Sequence, residues 1–433
     1  MHHIIQELEA DNSRLAKEAI LTREAAAGNE EFFEGCRLAL DNLMPFGVKK
    51  VPTYSGPDGQ GLPWIAFKQL AESLYRRELT GHAARDAIEL AMSASTKAQW
   101  NDWYRRILIK DLKCGVSEKT INKVLKDTNI KPVPVFECML ANDGANHEKK
   151  IAGKKLLEPK LDGVRVLTVI NMDNRTVTQY TRNGKVLENF SHITNAIEEN
   201  IDAFGRSCVL DGEMISTSFQ ALMKQVHRKE NVQANDAVLM LFDIIPLVEF
   251  QLGKSTLGQR RRSNLLKTFK PVFDKIGNIG VIPQTEVDLD NFVGQLQFKE
   301  FNKEAIDNGY EGIMIKDVDG VYECKRSVKW LKQKPFIEVS LVVRAVEEGT
   351  GRNEGRLGAL VCEGEEDGKN ILVNVGSGFT DEERKEFWED WSIMLDQVVE
   401  VRADAITRNQ DGTYSLRFPR FLHFRGFKAG EKI

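Results

Sequence analysis

The string Glu158-Pro159-Lys160-Leu161-Asp162-Gly163-Val164-Arg165 brings a carboxylate, an amine and a guanidinium close together in the chain. A lysine ammonium has no lone pair, and it becomes a nucleophile only where its surroundings favour the neutral amine. The Asp-Gly pair predicts a tight turn after the lysine strand, and Arg165 would return a fixed cation toward a phosphate or a ribose. A Lys-x-Asp-Gly-x-Arg string is what an enzyme needs to put a nucleotide on its own lysine. By itself it also fits an ordinary strand ending in an Asp-Gly turn. Further strings follow in order: Thr181-Arg182-Asn183-Gly184, Leu210-Asp211-Gly212-Glu213, Leu241-Phe242-Asp243, and Glu311-Gly312-Ile313-Met314-Ile315-Lys316. Then come Lys329-Trp330-Leu331-Lys332-Gln333-Lys334 and Arg417-Phe418-Pro419-Arg420-Phe421-Leu422-His423-Phe424-Arg425-Gly426-Phe427-Lys428. Four cations (Arg165, Lys316, Lys332, Lys334) would favour the neutral Lys160 amine and offset the charge of a polyphosphate. Lys332 and Lys334 stand at i and i+2, so a strand would present both on one face. Glu213 and Glu311, each beside a glycine, could bind ribose hydroxyls or a metal.

In this order the strings resemble the covalent nucleotidyltransferase superfamily of ligases and capping enzymes. The Arg-Phe-Pro-Arg-Phe string looks like the last motif of ATP-dependent DNA ligases, and over nearly its whole length the chain is similar to those of the T-even-phage type. The resemblance implies that Lys160 attacks the α-phosphorus of ATP and carries AMP as a phosphoramidate. It implies Glu158 at the adenine amine, Phe242 against the adenine face, and Arg182 at the ribose or the 5′-phosphate of a nick. Glu213 and Glu311 become the carboxylates expected to hold Mg²⁺. The tail cations would close over the ATP β- and γ-phosphates so that pyrophosphate leaves in line. The family often carries an acid before its final lysine, whereas Gly426-Phe427 precede Lys428 here. Arg420 or Arg425 is therefore expected to carry more of that contact.

The bulk numbers bound the answer without giving it. The chain has 433 residues, 42% of them hydrophobic and 29% charged. That is enough for two to four domains of ordinary composition. It shows no apolar run long enough to span a bilayer. The N-terminus lacks the pattern of a secretory signal, so a cytoplasmic protein (host cytosol if viral) is expected. Six widely spaced cysteines without a Cys-x-x-Cys predict reduced thiols and no zinc module, which also disfavours NAD as the nucleotide donor. The net charge of −4 does not advertise a nucleic-acid binder, but Lys97 to Lys131 holds nine Lys/Arg against four Asp/Glu.

The elements that must position these residues read as a multidomain α+β chain. Residues 1–132 read as a helical N-terminal domain. Helices are expected from Asn12-Ser13 to Gly28, from Ala66 to Leu79 (ended by Gly81-His82), from Ala83 to Ala94, from Trp100 to Leu112, and from Ser117 to Leu125. The joint Leu112-Lys113-Cys114-Gly115-Val116-Ser117 would offer free helix N-terminal amides to backbone phosphates. The segment Asn101 to Leu112 is similar to the DNA-binding domain of the phage ligases. Arg105, Arg106, Lys110, Lys113, Gly115, Ser117 and Lys119 are the DNA contacts so implied. Asn129-Ile130-Lys131-Pro132-Val133-Pro134 reads as a linker. Residues 133–335 alternate strands and helices and are expected to be the nucleotidyltransferase domain, an ATP-grasp-like adenylation fold. Residues 336–433 read as a β-rich OB-fold barrel, with hairpins at Asp367-Gly368 and Asp411-Gly412 and one helix under a Thr380/Glu383 capping box. The function implied is ATP-dependent sealing of nicked or broken duplex DNA by a monomer. An RNA ligase or a GTP-dependent capping enzyme shares the early strings, and a non-catalytic DNA-binding protein is the other class of answer. The tail string and the helical domain speak against the first two, and the intact Lys160 with Lys332 and Lys334 against the third.

Overall fold

The computed structural model describes residues 1–48, 50–216, 233–366, 368–409 and 411–426. It divides into two compact units, one of residues 1–301 with 314–332, the other of 302–313 with 333–433.

The first unit opens with helices packed around their own core. Ser13 caps the helix Arg14–Ala26 by accepting from the Ala16 amide, and Ser117 caps Glu118–Leu125 through the Thr120 amide. Helices His2–Ala10 and Glu30–Leu40 form in addition to the expected ones. Gly81, expected to end a helix, instead opens Gly81–Ala94. The preceding helix, Trp64–Tyr75, has already stopped, because Arg77 adopts a left-handed φ of 61°. The expected helix from Trp100 begins as a π turn, Trp100–Tyr104, and ends at Leu108. That wider turn drives Trp103 onto Phe32 (centroids 5.4 Å) and Tyr104 onto Phe67 (4.1 Å). The Pro-rich linker is tied down: the Asn122 side chain bonds both the amide and the carbonyl of Val133.

The rest of this unit rests on two large sheets, beside a two-stranded one of Lys254–Gly258 and Val321–Glu323. One runs in the order Leu140–Asp143, Arg326–Gln333, Ile313–Asp317, Lys154–Pro159, Thr285–Asp288. The other runs Val186–Leu187, Thr176–Thr181, Val164–Asn171, Cys208–Ile215, Val238–Pro246, Ile279–Val281. The tight turn expected at Asp162-Gly163 does not fold the chain back onto the lysine strand. The strand before Lys160 and the strand after Gly163 belong to different sheets, so the string is a crossover from one sheet to the other. Gly163 lies so close to the next strand that a Cβ would stand 2.3 Å from the Met214 carbonyl oxygen. Gly212, beside Glu213, lies within a strand. It sits inside Cys208–Ile215, where the ladder to Val238–Pro246 shifts register.

The second unit is a seven-stranded sheet in the order Ala405–Arg408, Tyr414–Arg417, Lys369–Val375, Leu357–Glu366, Ile337–Glu348, Val398–Ala403, Arg420–Gly426. It is OB-like, and the expectation of a closed barrel is corrected. Closure would need the outer edge of Lys369–Val375, and the Ala405–Arg417 hairpin takes that edge through Tyr414. The last strand reaches that side where the Phe421 amide bonds the Ser377 carbonyl and the Phe421 ring stacks on Phe379, beyond the end of Lys369–Val375. The expected hairpins form, with Glu366 paired to Lys369 and Arg408 to Tyr414 (Asp367 lies outside the described residues). The Thr380/Glu383 capping box is present on Asp381–Glu389.

Candidate active site

Where the chain crosses between the two sheets of the first unit it leaves a cavity of about 260 Å³. Glu158, Lys160, Arg165, Arg182, Glu213, Phe242, Lys316 and Lys332 all line it. These come from six of the sequence strings and from strands of both large sheets. Lys160 follows directly on Lys154–Pro159 and is partly exposed, its Nζ donating to the Leu161 carbonyl at 3.4 Å. Arg165 and Glu213 face each other across adjacent strands.

Two buried ion pairs frame the lysine. Lys316 and Glu158 are 1% and 2% exposed at their side chains and meet at 2.8 Å. Lys316 Nζ also lies 4.7 Å from the Phe242 ring centroid and 4.4 Å from that of Trp330. Burial raises the Glu158 carboxyl above its ordinary pKa, and Lys316 pulls against that rise. Arg165 sends Nε and Nη2 to the two oxygens of Asp211, at 2.9 and 2.6 Å, and Asp211 also accepts from the Tyr322 hydroxyl at 2.7 Å. Burial works against the guanidinium charge, and Asp211 overcomes it, so Arg165 stays cationic.

Other expected site residues belong to the second unit. The strand that carries Lys332 ends at Gln333, so the i, i+2 face is not continued. Lys334 belongs to the second unit, where its Nζ meets Glu311 at 3.3 Å and Asp404 at 3.4 Å. Glu311 also pairs with Arg417 at 3.5 Å. Arg425 bonds Glu400 at 2.9 Å and Ser340 at 3.1 Å, while Arg420 is exposed. Phe427 and Lys428 lie outside the described residues.

Among the expected DNA contacts, the three cations Arg105, Arg106 and Lys110 have structural partners within the helical part, as does the capping Ser117. Arg105 donates to the Val51 carbonyl, and Arg106 is buried on Glu9, Asp102 and the Leu112 carbonyl. Lys110 donates to the carbonyls of Leu38 and Asp41. Lys113, Gly115, Ser117 and Lys119 are exposed, and Lys119 pairs with Glu137 at 3.2 Å.

Burial lowers the Lys110 pKa from 10.5 to about 8, with Asp41 opposing. Below pH 8 both folded and unfolded chains hold this proton and the folded state carries the cost of a buried charge. Between about 8 and 10.5 only the unfolded chain keeps it, so stability should rise with pH by roughly 1–3 kcal/mol. Urea midpoints across that window would show the slope, and Lys110→Met should remove it.

Several residues near the cavity carried no local signal. Gln284 donates to Glu158 Oε1, and the Trp330 indole donates to Gln259, which also accepts from Arg262. Arg262 and Asp243 form a pair with both side chains fully buried. Arg326 lines the cavity from the start of the strand that also carries Trp330 and Lys332. Long-range partners of this kind leave no trace in spacing. Only the placement of Asp243 directly after Phe242 could have drawn attention to it.

Comparison with known families matches two parts of this architecture. The ATP dependent DNA ligase domain family matches residues 138–334, and the DNA ligase OB-like domain family matches residues 348–425. A solved structure described as Pmar-Lig_PreS3 is 52% identical, covers 98% of this chain and 99% of its own, and superposes with a TM-score of 0.68. DNA ligase 2 of Methanosarcina acetivorans is 30% identical over 313 residues, covering 64% of this chain and 52% of the relative. A structure of a Lig E DNA ligase, 21% identical, covers 67% of this chain and 99% of its own with a TM-score of 0.51, which speaks to the fold alone. The chain belongs to the ATP-dependent DNA ligases. It spans about half the length of the curated relatives it matches. No helix among the described residues is long and apolar enough to cross a membrane.

Proposed function

We propose that this chain seals nicks in duplex DNA at the expense of ATP, through a lysine–AMP and then a 5′-adenylylated DNA intermediate. The observation that carries the reading is the gathering of Lys160 with two framing ion pairs, two aromatic rings and three further cations around one cavity. In the first step the Lys160 amine attacks the α-phosphorus, a P–N bond forms, and pyrophosphate leaves. AMP then passes to the 5′-phosphate of the nick. Finally the 3′-hydroxyl displaces AMP and closes the strand. Each step is a phosphoryl or nucleotidyl transfer, in which fixed charge and alignment supply most of the rate. Arg182 and Lys332, at the cavity wall, would take the phosphate charge. Glu213 supplies one carboxylate there, which suits a Mg²⁺ ion that takes most of its ligands from phosphate oxygens and water. The ion would offset charge on the phosphates.

The division at 132 and 335 into helical, adenylation and OB-like parts is part of this reading, as is action as a monomer. The DNA grip is assigned to the joint around Gly115, with Lys113 and Lys119 as its exposed cations. A double Lys113→Ala, Lys119→Ala variant should bind nicked duplex more weakly and lower the slope of log affinity against log salt by about 2. Fluorescence anisotropy over a salt series measures both, and an unchanged slope would remove the joint from the DNA-binding surface. The function itself is tested by incubating the protein with radiolabelled ATP and with nicked DNA, then looking for the covalent adduct and the sealed strand. Exchange of ATP for GTP, and of DNA for RNA, addresses the capping and RNA-ligase alternatives.

A further inference from the structure

We propose that Gln284 is a positioning residue for nucleobase choice, holding Glu158 so that its second oxygen meets an exocyclic purine amine. The proposal rests on the reading of the cavity as a nucleotide site. Gln284 stands just before the strand Thr285–Asp288, whose Thr285 pairs with Leu157, the neighbour of Glu158. Two residues earlier, Ile282 lines the cavity itself. The Gln284 amide donates to Glu158 Oε1, and Lys316 donates to the same oxygen at 2.8 Å. Two donors on one oxygen stop the carboxylate from turning and leave Oε2 as the acceptor for a ligand.

The other end of the amide supports a dedicated role. Gln284 Oε1 is buried and has no hydrogen-bond partner. An unpaired buried carbonyl costs free energy, so the amide is kept in place by what its nitrogen does. Lys316 alone would hold Glu158 less well, because it also bonds the Phe242 carbonyl and faces two aromatic rings. A carboxylate oxygen fixed in this way accepts from the 6-amino group of adenine. It repels the oxygen that guanine carries at the same position, and it gains nothing from a purine with hydrogen there.

The test is covalent adduct formation with ATP, GTP and purine riboside triphosphate, which lacks the 6-amino group. The wild type should prefer ATP to purine riboside triphosphate by roughly 10- to 100-fold in kcat/KM. In Gln284→Met that preference should fall at least about tenfold, mainly through a higher KM for ATP, with GTP discrimination falling in parallel. A merely structural role would lower reaction with all three nucleotides equally. Gln284→Asn is the second variant if the methionine fails to fold. Its shorter amide should also lose the preference while the thermal midpoint stays near wild type. A full wild-type preference in a folded variant overturns the proposal, as does a wild type indifferent to the 6-amino group. Absence of any adduct with ATP would overturn the functional reading as well. An adduct with unmoved preference strikes the role of Gln284 alone.

Discussion

Replacing Lys160 with alanine is expected to abolish the covalent AMP adduct and nick sealing together. No other amine of the cavity can take its place. Lys316 is 1% exposed at its side chain and locked between Glu158 and two aromatic rings, and Lys332 projects from a different strand. Lys160→Arg should fail equally, because a guanidinium keeps its proton and has no free pair for the phosphorus. Both variants should fold, since Lys160 is partly exposed and lies outside the flanking strands. They should also still seal a nick supplied already adenylylated, at a reduced rate. Mass spectrometry of the intact protein after incubation with ATP is the measurement. An adduct of normal yield in either variant would move the nucleophile elsewhere.

The second large effect is expected at Asp211, which touches the reaction only through Arg165. Asp211 is fully buried and accepts three hydrogen bonds, two from Arg165 and one from Tyr322. Asp211→Ala would strand a guanidinium inside the protein. Breaking a buried pair in this way costs about 3–5 kcal/mol. Against a total stability of about 5–15 kcal/mol, that is enough to lower the thermal midpoint markedly. Asp211→Asn, which keeps the shape and one acceptor, should cost less. Adenylation should fall in both, because Arg165 lines the cavity and rests 5.4 Å from the Phe242 ring. Urea unfolding gives the stability change. A loss under about 1 kcal/mol in the alanine variant would mean that Arg165 can swing out to water.

The same pair shows what the sequence could and could not disclose. Lys160, Asp162, Gly163 and Arg165 are contiguous, so their chemistry could be read locally. The partner of Arg165 stands forty-six positions away, and only strand register brings it within reach, diagonally across the ladder from the position opposite Leu167. Lys332 and Lys334 look alike in the sequence, yet the strand ends between them, and end points depend on tertiary context. The charge count from Lys97 to Lys131 was legible, but its direction was not. A π turn at Trp100–Tyr104 departs from the 3.6-residue period and precedes Arg105 and Arg106, whose partners lie inside the helical part. In the C-terminal unit the hairpins and the capping box were legible from turn and cap chemistry. Barrel closure was not, because it turns on which strand occupies one edge.

The caging of Lys316 has a consequence for anyone who modifies this protein chemically. An amine-reactive reagent such as formaldehyde with a borohydride must approach from solvent, and it needs a nitrogen not engaged by a carboxylate. Lys160, partly exposed at a chain crossover, meets the first condition, whereas Lys316 meets neither. Methyl labels on folded protein should therefore spare Lys316 until the polypeptide is denatured. That protected amine is a built-in reporter: its labelling marks the loss of the cavity's interior, independently of whether any reaction is being catalysed.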